Sequence, residues 1–154
     1  MPDFAAYTVR QIKVDDVSRL RELLKVFGTA FEDADSYENN PPSETYLKGL
    51  LESDNFIALI ALQNETVVGG LVAYELRKFE QQRSEVYIYD LAVASEHRRR
   101  GIATKIIHEL MTIAKQRGAY VIYVQADLGD EPAIALYTKL GAREDVLHFD
   151  IPVE

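Results

Sequence analysis

The feature that most constrains this chain is Ser95-Glu96-His97-Arg98-Arg99-Arg100-Gly101-Ile102-Ala103-Thr104, together with what flanks it. Before it, the apolar run Val86 to Val93 reads as a strand. After it, Ile102, Ile106, Ile107, Leu110, Met111 and Ile113 recur at helical spacing. A strand therefore meets a basic turn, and the turn opens a helix. The first N–H groups of a helix lack internal partners, and the macrodipole adds partial positive charge there, which suits an anion. Gly101 and Ala103 keep bulk away, so a phosphate can approach the backbone. An ordinary charged surface turn is the plain alternative. Three adjacent arginines argue against it, because a helix start already disfavours cations.

Which anion depends on the rest of the chain. A length of 154 residues and a hydrophobic fraction of 47% fit one globular domain, 1–154, with a substantial core. No apolar run is long enough to cross a bilayer, and the first residues lack a basic-then-apolar signal, so the expected location is cytoplasmic. The absence of cysteine excludes a disulfide scaffold, a thiol nucleophile and thiolate metal ligation. His97, His108 and His148 are scattered, so no metal is expected. With 17 Lys+Arg against 25 Asp+Glu, the net charge is −8. That argues against nucleic acid as a partner and permits a cationic ligand.

In chain order, Tyr7 to Ile12 reads as an edge strand, and Asp15 and Asp16 can cap a helix running to about Phe31. Glu32 to Pro42 reads as an acidic loop with Tyr37 at its middle, offering one apolar surface to stack on a ligand. Ser43 caps a short helix, Glu44 to Glu52. Three strands follow, Asn55 to Leu62, Thr66 to Phe79 and Ser84 to Val93, whose short connections make them antiparallel neighbours. Gly69-Gly70 marks a bulge or a close backbone approach. After the basic turn, the helix stops at Gly118 and Ala119 to Ala126 forms a strand parallel to Val86–Val93 through a right-handed crossover. A helix from Ala133 to Leu140 and a last strand, Val146 to Ile151, close an α+β fold with a mixed, mostly antiparallel sheet.

Arg98-x-x-Gly101-x-Ala103, after a strand and opening a helix, resembles the acyl-CoA signature of the GNAT superfamily of N-acetyltransferases. Ala133-Ile134-Ala135-Leu136-Tyr137-Thr138-Lys139-Leu140-Gly141 resembles its second motif at the expected distance downstream. Within the superfamily, Lys78-Phe79-Glu80-Gln81-x-Arg83-Ser84-Glu85, Tyr87 to Val93, Gly118 to Asp127 and His148-Phe149-Asp150 look like the type I aminoglycoside 3-N-acetyltransferases.

The resemblance implies transfer of acetyl from acetyl-CoA to an amine of an aminoglycoside antibiotic, expected to be the 3-amino group, conferring resistance to it. It places the CoA pyrophosphate on N–H groups of Arg99, Arg100, Gly101, Ile102, Ala103 and Thr104, with Arg98 to Arg100 adding charge. The pantetheine arm would run beside Leu91, Ala92 and Val93, with Ala133 and Tyr137 on the other wall. The N–H of Leu91 or Ala92 is the oxyanion candidate, and Tyr137 the donor to the leaving thiolate. For the base, Asp90 is preferred, a carboxylate in an otherwise apolar strand, with Glu85 and Asp127 as rivals. Many members carry Asn where this chain has Asp130, so the acid there is read as facing the substrate.

The carboxylates Asp33, Asp35, Glu38, Glu85, Asp127, Asp130 and Glu131 are the expected clamp for a polycation. Another amine, such as a polyamine, an amino sugar or a protein amino group, is the alternative acceptor. A non-catalytic acyl-CoA sensor would share the turn without turnover. Nucleotide binding fits poorly, since the turn has neither a Walker lysine pattern nor repeated glycines. A homodimer through the apolar last strand is the expected assembly.

Overall fold

A computed structural model describes residues 6–154. One five-stranded sheet runs in the order β1 (Tyr7–Gln11), β2 (Phe56–Gln63), β3 (Thr66–Arg77), β4 (Ser84–Val93), β5 (Ala119–Val124). The first four strands are antiparallel neighbours, and β5 lies parallel to β4. The mixed sheet read from the sequence is therefore present. Helices α1 (Val17–Ala30), α2 (Ala34–Tyr37) and α3 (Glu44–Glu52) precede β2, α4 (Ile102–Gln116) links β4 to β5, and α5 (Glu131–Leu140) follows.

The sheet is covered on both faces, which is why β2 is apolar at nearly every position. Ile57, Leu59 and Ala61 pack with Ile106 and Leu110 of α4. Ala58, Ile60 and Leu62 point the other way, against Leu20, Leu23 and Phe27 of α1 and Leu47 of α3. Gly69 and Gly70 serve close approach: a Cβ on Gly69 would stand 2.9 Å from the Ala92 carbonyl, and one on Gly70 would meet the Leu59 carbonyl first and then Leu23 Cδ1 at 2.6 Å. The irregularity beside them falls between Ala61 and Leu62 on the facing strand.

Several local expectations change. Asp16 holds the N-cap position of α1 but makes no capping bond; its carboxylate is drawn instead to Arg10, 2.7 Å away. The acidic stretch read as loop contains the single-turn helix α2, because Asp33 accepts from the Ser36 N–H and starts a turn. The strand read as reaching Ala126 stops at Val124, and α5 starts at Glu131 rather than Ala133, with Asp130 at its N-cap. The last strand, Val146 to Ile151, does not form within the chain. Residues 142–154 carry no helix or strand, are exposed and are unpaired in the sheet. An apolar alternation specifies a strand only where an edge is in reach, and this one lies away from the body.

Candidate active site

The central event is a bulge in β4. Val72 faces Asp90 and the next residue, Ala73, faces Ile88, so Tyr89 is an extra residue on β4. Side chains alternate along a strand, so one extra residue turns the remainder over. Before the bulge, Val86 and Ile88 face the α4 side; after it, Leu91 and Val93 do. Asp90 and Ala92 are thereby sent to the opposite face, and Ala92 packs with the α1 cluster. There the Tyr37 hydroxyl donates to Asp90 Oδ1 across 3.0 Å. Burial raises the Asp90 pKa above the ordinary carboxylate range, and the Tyr37 bond partly offsets it. Tyr37 is itself pushed up, first by burial and then by the Asp90 charge. Its ring sits edge-on to Phe27 at 6.0 Å and tilted to Phe31 at 5.6 Å.

Beyond the bulge, β4 also parts from β5. Their pairing ends at Ile88 with Val124, while β4 continues to Val93. The stretch Tyr89 to Val93 therefore pairs with β3 alone, because β5 ends at Val124 while β4 runs on. The basic turn lies at the end of that stretch. Arg99 and Gly101 both adopt left-handed backbone, φ 62° and 77°, and no side chain caps α4. The turn is tied to β1: Arg100 Nη1 donates to the Tyr7 hydroxyl at 2.8 Å, His97 Nδ1 lies 2.9 Å from the same oxygen, and Lys105 Nζ donates to the Tyr7 carbonyl at 2.7 Å. Arg98 Nε donates to the Val93 carbonyl at 3.0 Å. Two of the three arginines thus brace the turn, while Arg99 and Gly101 are exposed on it.

Tyr137 packs half-buried against the α4-side core. Burial, with a smaller contribution from the Asp130 charge, pushes its pKa up to about 12. The phenol is therefore a weaker acid than the ordinary value assumed from the sequence. Asp130 accepts from the Ala133 N–H, so its carboxylate is engaged as the α5 cap. Glu85 accepts from Tyr120 Oη at 2.7 Å and Lys78 Nζ at 3.1 Å, and these two bonds hold its pKa below the ordinary range. Asp35 accepts from Asn39, and the Glu38 side chain lies against Gly28 of α1. Asp127 and Glu131 are exposed in and after the β5–α5 connection, and Ala133 is half-buried on α5. The clamp read from the sequence is thus divided, with Asp33, Asp35, Glu85 and Asp130 already engaged by protein partners.

One constellation was not read from the sequence. Tyr74, Tyr89, Tyr87 and Tyr123 form a continuous run of rings with centroids 6.1, 5.9 and 4.7 Å apart. The signal was the Tyr87-x-Tyr89 alternation on one strand and Tyr123 on the next, which the register sets opposite Tyr87. Among the described residues no group of His, Asp or Glu is placed to hold a metal ion, and no helix is long and apolar enough to cross a membrane.

A parallel pair in which β4 outruns β5, an uncapped helix after a basic turn and a half-buried carboxylate on the opposite face define the class. The chain belongs to the acetyltransferase (GNAT) family, whose model matches residues 18–142. It is similar to an aminoglycoside acetyltransferase from an uncultured soil metagenomic sample, with 59% identity, 96% of this chain and 99% of that one covered, and a TM-score of 0.95. A second such enzyme, also from an uncultured soil sample and solved with sisomicin, shares 28% identity over 97% and 98% of the two chains at a TM-score of 0.90. Among curated proteins, N-alpha-acetyltransferase 30 of Schizosaccharomyces pombe is 31% identical over 54% of this chain and 55% of its own length. An uncharacterized N-acetyltransferase of Methanocaldococcus jannaschii is 27% identical over 90% of this chain and 61% of its own. The chain thus spans 55–61% of the length of these two curated relatives.

Proposed function

We propose that this protein transfers the acetyl group of acetyl-CoA to an amine of an aminoglycoside, at the 3-amino position, and so protects its host from the drug. The observation that carries the reading is Asp90, a half-buried carboxylate on the stretch of β4 that runs on beyond β5, within a chain 59% identical to an aminoglycoside acetyltransferase. The N–H groups of the Arg99–Thr104 turn would receive the pyrophosphate, and the unpaired backbone of Leu91 to Val93 would hold the pantetheine amides.

Asp90 would take a proton from the attacking ammonium, directly or through water. A raised pKa brings a carboxylate closer to the working pH, where it is a better base. The Leu91 or Ala92 N–H would stabilise the tetrahedral oxyanion. Tyr137, protonated at any working pH, would donate to the departing thiolate. The exposed carboxylates Glu38, Asp127 and Glu131 remain for the cationic rings, and the tyrosine run beside Asp90 offers faces for cation–π contact.

A protein amino group is the second reading, supported by the likeness to an N-alpha-acetyltransferase. Thiol release from acetyl-CoA, measured with gentamicin-like and kanamycin-like drugs, polyamines and N-terminal peptides, separates the two. Turnover confined to peptides would overturn the aminoglycoside reading, and NMR of the acetylated drug fixes the amine.

A further inference from the structure

The turn between β4 and α4 is open to a ligand and strained at the same time. Among the described residues, no backbone carbonyl accepts from the N–H groups of 99–104, and no side chain caps α4. Arg99 holds left-handed backbone at φ 62°, two residues before Gly101 at φ 77°. Glycine takes that conformation without steric cost, but arginine does not, so Arg99 is kept there by its surroundings. A strained corner with unpaired donors relaxes unless its neighbours pin it.

The pins converge on one residue of the edge strand. Tyr7 of β1 is 4% exposed, and its ring belongs to the core on the α4 side of the sheet. Its hydroxyl meets Arg100 Nη1 at 2.8 Å and His97 Nδ1 at 2.9 Å. Arginine only donates, so the oxygen accepts from Arg100 and its own proton is free for the imidazole nitrogen. That second bond turns a lone pair toward Arg100. The His97 ring also stands edge-on to the Tyr7 ring, with centroids 5.7 Å apart. His97 and Arg100 lie on either side of Arg99 in the chain, so the hydroxyl holds both flanks of the left-handed corner. The Tyr7 carbonyl receives Lys105 Nζ at 2.7 Å, from the first turn of α4.

The transfer chemistry itself does not reach Tyr7. Strands β2 and β3 lie between β1 and β4, which carries Asp90. Core volume alone would be filled as well by phenylalanine. The hydroxyl is the part that the turn uses.

We propose that Tyr7 is a positioning residue for the cosubstrate: its hydroxyl, acting through Arg100, holds the Arg99–Thr104 N–H groups in the arrangement that receives the acetyl-CoA pyrophosphate. The proposal rests on the acetyl-CoA reading of the turn, and not on which amine is acetylated. Without the hydroxyl, the turn visits other shapes. The apparent affinity then falls in proportion to the fraction that stays receptive. The acetyl-transfer step, which follows binding, keeps its rate.

Tyr7→Phe tests this while keeping the ring in the core. Calorimetric titration with CoA should give a Kd raised about tenfold, the equivalent of one hydrogen bond to a charged group. KM for acetyl-CoA should rise alongside, while kcat and KM for the acceptor stay at the parent values. Circular dichroism should be unchanged. Arg100→Met removes the same bond from its other end, so the double variant reads the coupling. Its loss of CoA affinity should fall well short of the product of the two single losses. An unchanged CoA Kd in Tyr7→Phe would overturn the proposal, as would a drop in kcat at saturating acetyl-CoA that matches the rise in Kd. Single losses that multiply in the double variant would overturn it too, because Tyr7 would then act independently of Arg100. A parent protein that does not bind CoA at all would instead remove the transfer reading, and this proposal with it.

Discussion

The Tyr37 hydroxyl and Asp90 Oδ1 lie 3.0 Å apart, and this one bond ties the segment between α1 and α3 to the central strand. It makes the acceptor side and the proposed base a single unit. The base sits in an apolar strand without a cation to pair with it, and a phenol supplies the compensation.

Replacing Asp90 by Asn should lower kcat/KM roughly 10²-fold or more if the carboxylate is the general base. Stability should move the opposite way. Burial raises the folded-state pKa above the unfolded value, so the folded protein holds this proton more tightly. The resulting penalty is absent below the unfolded pKa, grows as pH rises through the folded pKa, and is constant above it. Asp90→Asn should therefore melt at or above the parent temperature at neutral pH and show no gain in acid. Thermal melts across pH check the sign.

Tyr37→Phe removes the donor that holds the Asp90 pKa down. The acid limb of kcat/KM should shift to higher pH, because the unsupported carboxylate holds its proton longer. Loss of the bond should destabilise the fold by about 1 kcal/mol. An unchanged acid limb would remove Asp90 from the rate profile.

Tyr137→Phe should reduce kcat with little change in KM for acetyl-CoA, by roughly 10²-fold if the phenol is the acid. Its pKa of about 12 also means that it cannot produce an alkaline limb near pH 9. Any such limb should survive the substitution unchanged.

The two glycines of β3 should separate fold from chemistry. Gly70→Ala presses on the Leu59 carbonyl of the neighbouring strand and on Leu23 in the α1 core, and should lower stability by about 1–3 kcal/mol or more without a specific effect on turnover. Gly69→Ala presses on the Ala92 carbonyl, adjacent to the proposed oxyanion donors, and should lower kcat beyond its effect on melting.

Acceptor binding should weaken with salt, each exposed carboxylate contributing about 0–1 kcal/mol. Asp127→Asn should raise KM for a polycationic drug. Glu85→Gln should leave KM nearly unchanged, because Lys78 and Tyr120 already hold that carboxylate.

Much of this was legible because the signals were local. The Val86–Ile113 strand–turn–helix announced itself through periodicity and one glycine, and the parallel pairing of β4 and β5 followed from handedness. What was not legible required knowing who meets whom. Tyr37 reads as a ligand platform until it is found on Asp90, 53 positions away. Glu85 and Asp130 read as substrate carboxylates until Lys78, Tyr120 and the α5 backbone claim them. The apolar pattern from Val146 to Ile151 reads as a strand, yet no strand of the chain pairs with it, and nothing local in the sequence signals that.

The extra residue at Tyr89 also bears on how this strand is compared with others. Set gap-free against a strand of even pleat, every position after 89 would be matched one place out of step. Leu91, which packs toward α4, would be equated with the carboxylate's neighbour-facing slot, and Asp90 with a core position. A correct correspondence must open at Tyr89: removing that residue would leave Asp90 on its present face, whereas keeping it and flattening the bulge would turn the carboxylate into the hydrocarbon interior on the α4 side.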